Sequence, residues 1–377
     1  MIEVLELIFN IEKYWIHFIH ISYTKVIRKK IGMTIDEKYM ARCIQLAKNG
    51  RCNVSPNPMV GAVIVCDGKI IGEGYHIKYG GPHAEVNAIS SVKEQQKLEN
   101  STIYVSLEPC SHYGKTPPCA DLIISKKIPR VIIGCKDPFP LVSGRGIKKL
   151  TDAGVDVKWG VLERECLDLN KKFILFNTQK RPYITLKWAQ SADGFIDIKR
   201  ESGESVKISS DLTRMLVHKY RSENMAIMVG TNTARLDNPT LSTRDWYGKN
   251  PTRIVIDRKL ALPKELHLFD GKVNTIVFNS IKDGDSNGLT LKKIDFSSEV
   301  IPQILDILYN EKLESVIIEG GAILLQSFID KDLWDEAFIE ISDLVINDGV
   351  KAPEIKKFNK RENMRRFNRE IIHLTNR

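Results

Sequence analysis

The sequence predicts two α/β units in tandem, and three observations carry that prediction. Apolar runs of strand length alternate with stretches of helical periodicity from residue 36 onward, the pattern of a largely parallel sheet covered by helices. The alternation restarts after "KRP" at 180–182, where the strand "YITLKWAQ" opens a second set. A length of 377 residues suits two cores of ordinary size better than one. The boundary is expected between about residues 176 and 182.

In the first unit, residues 36–49 put Tyr39, Met40, Cys43, Ile44 and Ala47 on one face, which predicts an amphipathic helix ended by Gly50. "VGAVIVCDGKIIGEGYH" holds two apolar runs around Asp67-Gly68, a hairpin signal. "HAEVNAISSV" then reads as helix, "TIYVSLE" as strand, "CADLIISKKI" as helix and "RVIIGC" as strand. Helix "GRGIKKLTDA", strand "VDVKWG" and the helix "ECLDLNKKFILFNTQ" lead to the boundary. The second unit continues with a helix from Asp211 and the strands "AIMVG", "TRIVIDR" and "NTIVFN". Helix "EVIPQILDILYN", strand "SVIIEGG" and helix "AILLQSFID" follow.

Hydrophobic content of 42% and charged content of 27% fit a soluble globular chain. Seven cysteines, all in the first half, form an odd set that argues against a disulfide framework and for a metal or redox role. Cys43, Cys66 and Cys135 sit in apolar contexts and read as core fillers, and Cys52 has no partner at metal spacing. Near the N-terminus "YWIHFIHISYTKVI" is too short to span a bilayer, and Glu3, Glu6 and Glu12 precede it where a signal peptide carries positive charge. Met33 opens "MTIDEKYMARCIQLAKNG", which reads as a natural start, so the segment before it, within residues 1–33, is expected to be either a non-native extension or a family-atypical tail. The net charge of +9 concentrates in "KAPEIKKFNKRENMRRFNRE". With few aromatics, this run reads as a solvated surface rather than a nucleic-acid site. A basic balance also suits phosphorylated substrates.

The chemistry starts at "GGPHAEVNAI". His83 and Glu85 lie two apart, a spacing that would diverge in mid-helix but lets both reach one point at a helix start. Downstream, "SLEPCSHYGKTPPCADLI" supplies Cys110 and Cys119 from a loop stiffened by Pro109, Pro117 and Pro118. One imidazole and two thiolates suit zinc and leave a fourth position for water. This is the donor set of zinc deaminases, in which a Glu outside the ligand set moves protons. Glu85 is the candidate for that task. His112 reads as a loop residue near the substrate, because a fourth protein ligand would close the water position. The competing reading is a structural zinc site with a dispensable Glu85.

"NPMVGAVIV", "PHAEVNA" and "VSLEPCSHYGKTPPCADLI" closely resemble the bifunctional deaminase–reductases of riboflavin biosynthesis. Cytidine and tRNA adenosine deaminases put two residues between their cysteines; this chain puts eight, as that family does. The resemblance covers roughly residues 34–350. It implies an N-terminal cytidine deaminase-like three-layer domain over residues 34–178 and a dihydrofolate reductase-like α/β domain over 182–377. It implies zinc and a substrate, 2,5-diamino-6-(5-phosphoribosylamino)pyrimidin-4(3H)-one, that loses its 2-amino group. Asn57 would then sit against the pyrimidine, although a turn residue between two prolines is the plainer reading.

No GxGxxG follows a first strand, so a Rossmann site has no support. Gly320-Gly321 instead ends an apolar strand and opens a helix, where backbone N–H groups can approach a phosphate. "SADGFI", "SGES", "VGTNTARLDNPTLSTR" and "IIEGGAILL" follow the order of the family's reductase half. The resemblance implies that NADPH reduces the ribosyl group of 5-amino-6-(5-phosphoribosylamino)uracil to ribityl. It places Ala189, Lys207, Thr233, Asp237 and the turn from Gly321 at the cofactor. Ser205, Arg221, Leu241, Arg244 and Glu319 would meet the substrate. Lys187, projecting from a strand, would steady the imine or its precursor; a partly buried surface lysine is its plain alternative. Arg221 could equally complement a helix dipole, and Asp237 could shape a turn.

The chain departs from the family in two places. Lys207 stands where the family usually carries a Trp that touches the cofactor, and two extra residues within "FIDIKRE" lengthen the loop before SGES. The resemblance further implies a cytoplasmic enzyme with no nucleic-acid or membrane partner and a tendency to form homo-oligomers. The reading kept as the alternative is a nucleic-acid or nucleoside deaminase with an accessory binding domain. The basic tail favours it; the cysteine spacing and the Gly-Gly turn oppose it.

Overall fold

The structure is a computed structural model that describes residues 32–113, 117–138 and 143–376. The expected extension lies almost wholly outside the described residues.

Thr34 caps the first helix, α1 (Ile35–Ala47): its hydroxyl accepts the Glu37 N–H at 3.2 Å, and the Glu37 carboxylate accepts the Thr34 N–H at 2.9 Å. This reciprocal box satisfies two of the amides a helix start leaves open. Met40, Cys43, Ile44 and Ala47 are buried as expected, and Tyr39 is half-buried. The hairpin follows as β1 (Gly61–Cys66) and β2 (Lys69–Tyr75), turned by Asp67 and Gly68, both at positive φ. A Cβ at Gly61 would lie 2.0 Å from the Cys43 carbonyl oxygen, so glycine is what lets β1 pack directly on α1.

The unit continues through α2 (Ala84–Ser91), β3 (Thr102–Leu107), α3 (Cys119–Ser125), β4 (Arg130–Cys135), α4 (Arg145–Asp152) and β5 (Asp156–Trp159). Its five strands run in the order β2-β1-β3-β4-β5. β1 is antiparallel to both neighbours, while β3, β4 and β5 are parallel. One face packs Ala88, Ile89, Ala120, Ile123 and Leu150 from α2, α3 and α4. The other packs Met40, Cys43 and Ile44 of α1 and Cys166 of the next helix. Helices on both faces make three layers.

The single helix expected over 165–179 is two, α5 (Glu163–Leu169) and α6 (Lys171–Gln179). They break at Asn170, whose amide is spent on the NPMV loop: it accepts the Met59 N–H at 2.8 Å and donates to the Met59 carbonyl at 2.9 Å. A tertiary contact overrides helical periodicity there.

The second unit holds β6 (Tyr183–Gln190), β7 (Phe195–Asp197), α7 (Asp211–Ser222), β8 (Ala226–Val229), α8 (Thr231–Asp237), β9 (Thr252–Ile256) and β10 (Thr275–Asn279). Then come β11 (Gly284–Ser286), β12 (Leu289–Lys293), α9 (Val300–Asn310), β13 (Ser315–Gly320), α10 (Ala322–Asp330), β14 (Glu336–Ile341), β15 (Val350–Lys351), β16 (Lys360–Arg366) and β17 (Arg369–Thr375). The ten-stranded sheet has the order β11-β12-β10-β9-β8-β13-β6-β14-β17-β16. It is parallel from β12 through β14, and antiparallel at both ends. β7 and β15 pair separately. α9 and α10 bury Ile304, Leu308, Leu325 and Phe328 on one face, with Ile227, Val255, Val277 and Ile317 on the other. The basic C-terminal run is solvent-exposed along most of its length, as expected, and it is also ordered: from Lys360 it forms the edge strand β16 and turns into β17, which extends the sheet.

The two units touch. Arg51 pairs with Glu223 at 2.7 Å, Lys171 with Glu336 at 2.7 Å, and Lys172 donates to the Glu223 carbonyl at 2.6 Å. A cavity of about 910 Å³ lies between them.

Candidate active sites

His83 is the N-cap of α2, in extended backbone, and Glu85 is the second helical residue. This first-turn geometry aims both side chains at the loop after β3. The His83 Nδ1 lies 3.6 Å from Cys110 Sγ and 3.3 Å from Cys119 Sγ. One ligand atom from each of the three residues falls within 4.8 Å of the others. Cys119 opens α3, and its N–H donates to the Cys110 sulfur at 3.2 Å. Hydrogen bonds from Cys119 and His83 hold the Cys110 thiol well below the usual thiol range, and the shared sulfur pushes Cys119 up. An ionisable imidazole–dithiol set at this spacing fits a tetrahedral zinc ion with one position free. Among the described residues it is the only such cluster of three.

Glu85 is 3% exposed. Burial, with the Cys110 sulfur next, pushes its carboxyl up to about 7. A carboxyl near neutrality can both take and return a proton.

Two residues of this site carried no signal of their own in the sequence. His76, at the end of β2, is buried; it donates from Nδ1 to the Pro82 carbonyl at 3.0 Å and accepts the Asn57 amide at 3.2 Å. Its ring meets His83 edge-on at 5.7 Å, and burial lowers its pKa. Asn57 is thereby fixed near the metal ligands, and it also lines the cavity between the units. Glu108 accepts four backbone N–H groups, from Asp137, Gly144, Gly146 and Ile147, at 2.9–3.2 Å. It ties the loop before α4 to the Pro109–Cys110 turn. His112 lies in the described part of that loop, outside the three-ligand cluster.

The second site is a cavity of about 1020 Å³ at the C-terminal ends of the parallel strands, where open α/β sheets place their ligands. Lys187, Ala189, Ser205, Lys207, Thr233, Asp237, Glu319 and Gly321 all lie on its wall. Arg221, Leu241 and Arg244 do not. Arg221 stands behind the wall, paired with Glu319 through Nε at 2.9 Å and Nη2 at 2.6 Å. Leu241 is a core residue, 2% exposed, and Arg244 is exposed and bonds Thr240. Lys207 turns its ammonium to Asp211 at 2.9 Å.

Gly321 has φ +81° and precedes α10, so its turn opens the first amides of that helix toward the cavity. A Cβ on Gly320 would fall 2.8 Å from the Thr233 side chain. This bare strand–helix turn beside Thr233 fits the pyrophosphate of a dinucleotide. The lengthened loop contributes Arg200. It bonds Asp197 at 2.7 Å, the Gly203 carbonyl at 2.8 Å, and Asp237. Asp237 therefore meets the cavity already paired.

The fold and the two sites define a class: a zinc-dependent deaminase joined to a nucleotide-dependent reductase. Comparisons with known proteins agree with both halves. Residues 33–135 match the family described as the cytidine and deoxycytidylate deaminase zinc-binding region, and residues 182–359 match the RibD C-terminal domain. The riboflavin biosynthesis protein RibD of Bacillus amyloliquefaciens is 39% identical over 330 residues, covering 85% of this chain and 88% of its own. That of Escherichia coli is 36% identical, covering 81% and 87%. A solved diaminohydroxyphosphoribosylaminopyrimidine deaminase/5-amino-6-(5-phosphoribosylamino)uracil reductase from Thermotoga maritima superposes with a TM-score of 0.81 at 37% identity. It covers 91% of this chain and 99% of its own. RibD from Acinetobacter baumannii gives 0.81 at 30% identity, covering 90% and 98%. The chain belongs to the RibD family of bifunctional riboflavin-biosynthesis enzymes. The nucleic-acid deaminase alternative is not favoured, because the second half is a reductase domain and the basic tail is part of its sheet.

Proposed function

We propose that this chain removes the 2-amino group of 2,5-diamino-6-(5-phosphoribosylamino)pyrimidin-4(3H)-one and then reduces the ribosyl group of the resulting aminouracil to ribityl. The observation that carries the reading is the His83–Cys110–Cys119 cluster with buried Glu85 beside it, in a chain that also holds the Gly320-Gly321 cavity. Residues 34–178 are taken as the deaminase unit and 182–377 as the reductase unit.

In the first reaction water replaces ammonia at the ring carbon. His83, Cys110 and Cys119 would hold zinc, which brings the pKa of water toward neutrality. Glu85 takes a proton from the attacking water, delivers it to the ring nitrogen, and passes the next to the departing ammonia. Asn57, fixed by His76, orients the pyrimidine.

In the second reaction a ring-opened imine gains a hydride at the sugar's first carbon and a proton at nitrogen. NADPH, when bound, supplies the hydride. Ala189, Thr233, Asp237 and the Gly321 turn would bind it, with Lys207 at the rim. Ser205, Glu319 and Lys187 face the substrate. Arg221 acts through Glu319, while Leu241 and Arg244, which lie off the cavity wall, are given no part in the reaction. Holding the two reactants in line accounts for most of the acceleration such a site needs.

Supplying the diaminopyrimidine phosphate and NADPH to the purified chain tests both halves at once. One ammonia and one oxidised NADPH per substrate are expected. Ammonia release from cytidine or a nucleic acid, with none from this substrate, would overturn the reading. A cytoplasmic location and homo-oligomeric association complete it, checked by cell fractionation and light scattering. No helix among the described residues is long and apolar enough to cross a membrane.

A further inference from the structure

Lys187 sits on β6, a central strand of the reductase sheet, and lines the cavity. Among the described residues it makes no hydrogen bond or ion pair. Charge around it is nevertheless arranged. In the parallel β6–β14 pair, Phe338 aligns with Lys187 and Glu340 with Ala189. Side chains alternate along a strand, so Lys187, Ala189, Phe338 and Glu340 share one face. On the other side of β6, Ile318 of β13 aligns with Leu186, which brings Glu319 beside Lys187 on that face. Helix α7 covers it, stacking Tyr220 on Phe338 at 4.5 Å.

Two acids and two bases meet here. Arg221 is committed to Glu319 through both carboxylate oxygens. Glu340 is 4% exposed. Among the described residues its two oxygens accept only hydroxyls, from Ser209 and from Thr213, each at 2.7 Å. A buried carboxylate held by neutral donors requires a cation nearby. The other bases near this face meet different acids: Arg221 meets Glu319, His373, stacked on Phe338, meets Glu336 and Glu362, and Arg214 and His218 of α7 meet Asp211 and Asp245, which leaves Lys187.

We propose that Glu340 is a positioning residue of the reductase site: it supplies the counter-charge that keeps Lys187 an ammonium, and it fastens the Ser209–Thr213 segment over that charge. This rests on the reading that Lys187 meets the substrate. The surroundings of Lys187 pull in opposite directions: burial, the largest influence, lowers its pKa and leaves it below the usual lysine value, Glu319 and then Glu340 oppose that, and Arg221 adds to it. Removing the Glu340 charge must therefore let Lys187 lose its proton at lower pH. An active ammonium is lost as pH rises through its pKa, so the basic limb of the rate profile moves to the acid side.

The test compares wild type, Glu340→Gln and Glu340→Asp, with Lys187→Met as the control on the underlying reading. The reductase kcat/KM is measured against pH. In parallel, the pH dependence of Lys187 acetylation by acetic anhydride is read by peptide mass spectrometry without NADPH. Glu340→Gln keeps the shape and an acceptor for the hydroxyls but loses the charge. Both curves should shift acidward by about one unit or more, and Glu340→Asp should restore most of the shift. A purely structural role would lower the unfolding midpoint and leave both curves in place. Unshifted curves in a folded Glu340→Gln protein overturn the proposal. Full reductase activity in Lys187→Met would instead remove the reading beneath it.

Discussion

Arg181 offers a sharp test of how the reductase sheet is held. It stands at the boundary between the units, 8% exposed, and its guanidinium meets Asp335, 2% exposed, at 2.8 and 2.6 Å. The same guanidinium donates to the Pro182 carbonyl at 2.8 Å, and Asp335 also accepts the Ile184 N–H at 2.7 Å. The pair thus pins the start of β6 to the segment entering β14. Arg181→Met keeps the aliphatic stem and takes away the cation, leaving a desolvated carboxylate without its guanidinium. Breaking a buried pair this way costs about 3–5 kcal/mol. For a domain of this size that lowers the midpoint by roughly 10 °C. Differential scanning calorimetry reads it, and the loss should fall on the reductase transition. Arg181→Met with Asp335→Asn should regain most of the loss, because no charge then remains buried and the Ile184 N–H keeps an acceptor. A loss under about 1 kcal/mol, the size of an exposed pair, would refute the reasoning.

Glu85→Gln should keep one zinc per chain and slow ammonia release about 10²–10⁴-fold, with NADPH oxidation on the deaminated intermediate unchanged. Cys110→Ser should lose zinc by elemental analysis while circular dichroism stays native. Gly146→Ala puts a Cβ 2.1 Å from the Pro109 carbonyl oxygen; the turn before Cys110 must move, and zinc should pass more readily to a competing chelator. Burial pushes the Glu314 carboxyl from 4.5 up to about 8, against the pull of Lys172. A raised carboxyl contributes stability that is full below 4.5 and fades as pH climbs toward 8. Glu314→Gln should therefore flatten the fall in unfolding free energy over that window; an unchanged slope would count against a buried, protonated Glu314.

The alternation of apolar runs, the Asp67-Gly68 hairpin and the Cys spacing determined two α/β units and the donor set before any coordinates. Those signals are local: periodicity, turn chemistry and ligand type are properties of short segments. The same local reading drew one helix through Asn170, because nothing in the segment itself betrays a side chain committed to Met59. It read the basic tail as solvated surface, which it is, but did not show that this surface is an edge strand, because a strand charged along an exposed edge shows little alternation.

Tertiary structure alone decided which residues converge. Lys187, Glu319 and Glu340 come from three strands whose adjacency is set by the sheet order β13-β6-β14. That order also puts Leu241 in the core and Arg221 behind Glu319. Arg200 reaches Asp237 only because an extended loop folds back across the cavity rim. A chain can announce the chemistry of its side chains, but distances between residues far apart in sequence exist only once the sheets have assembled.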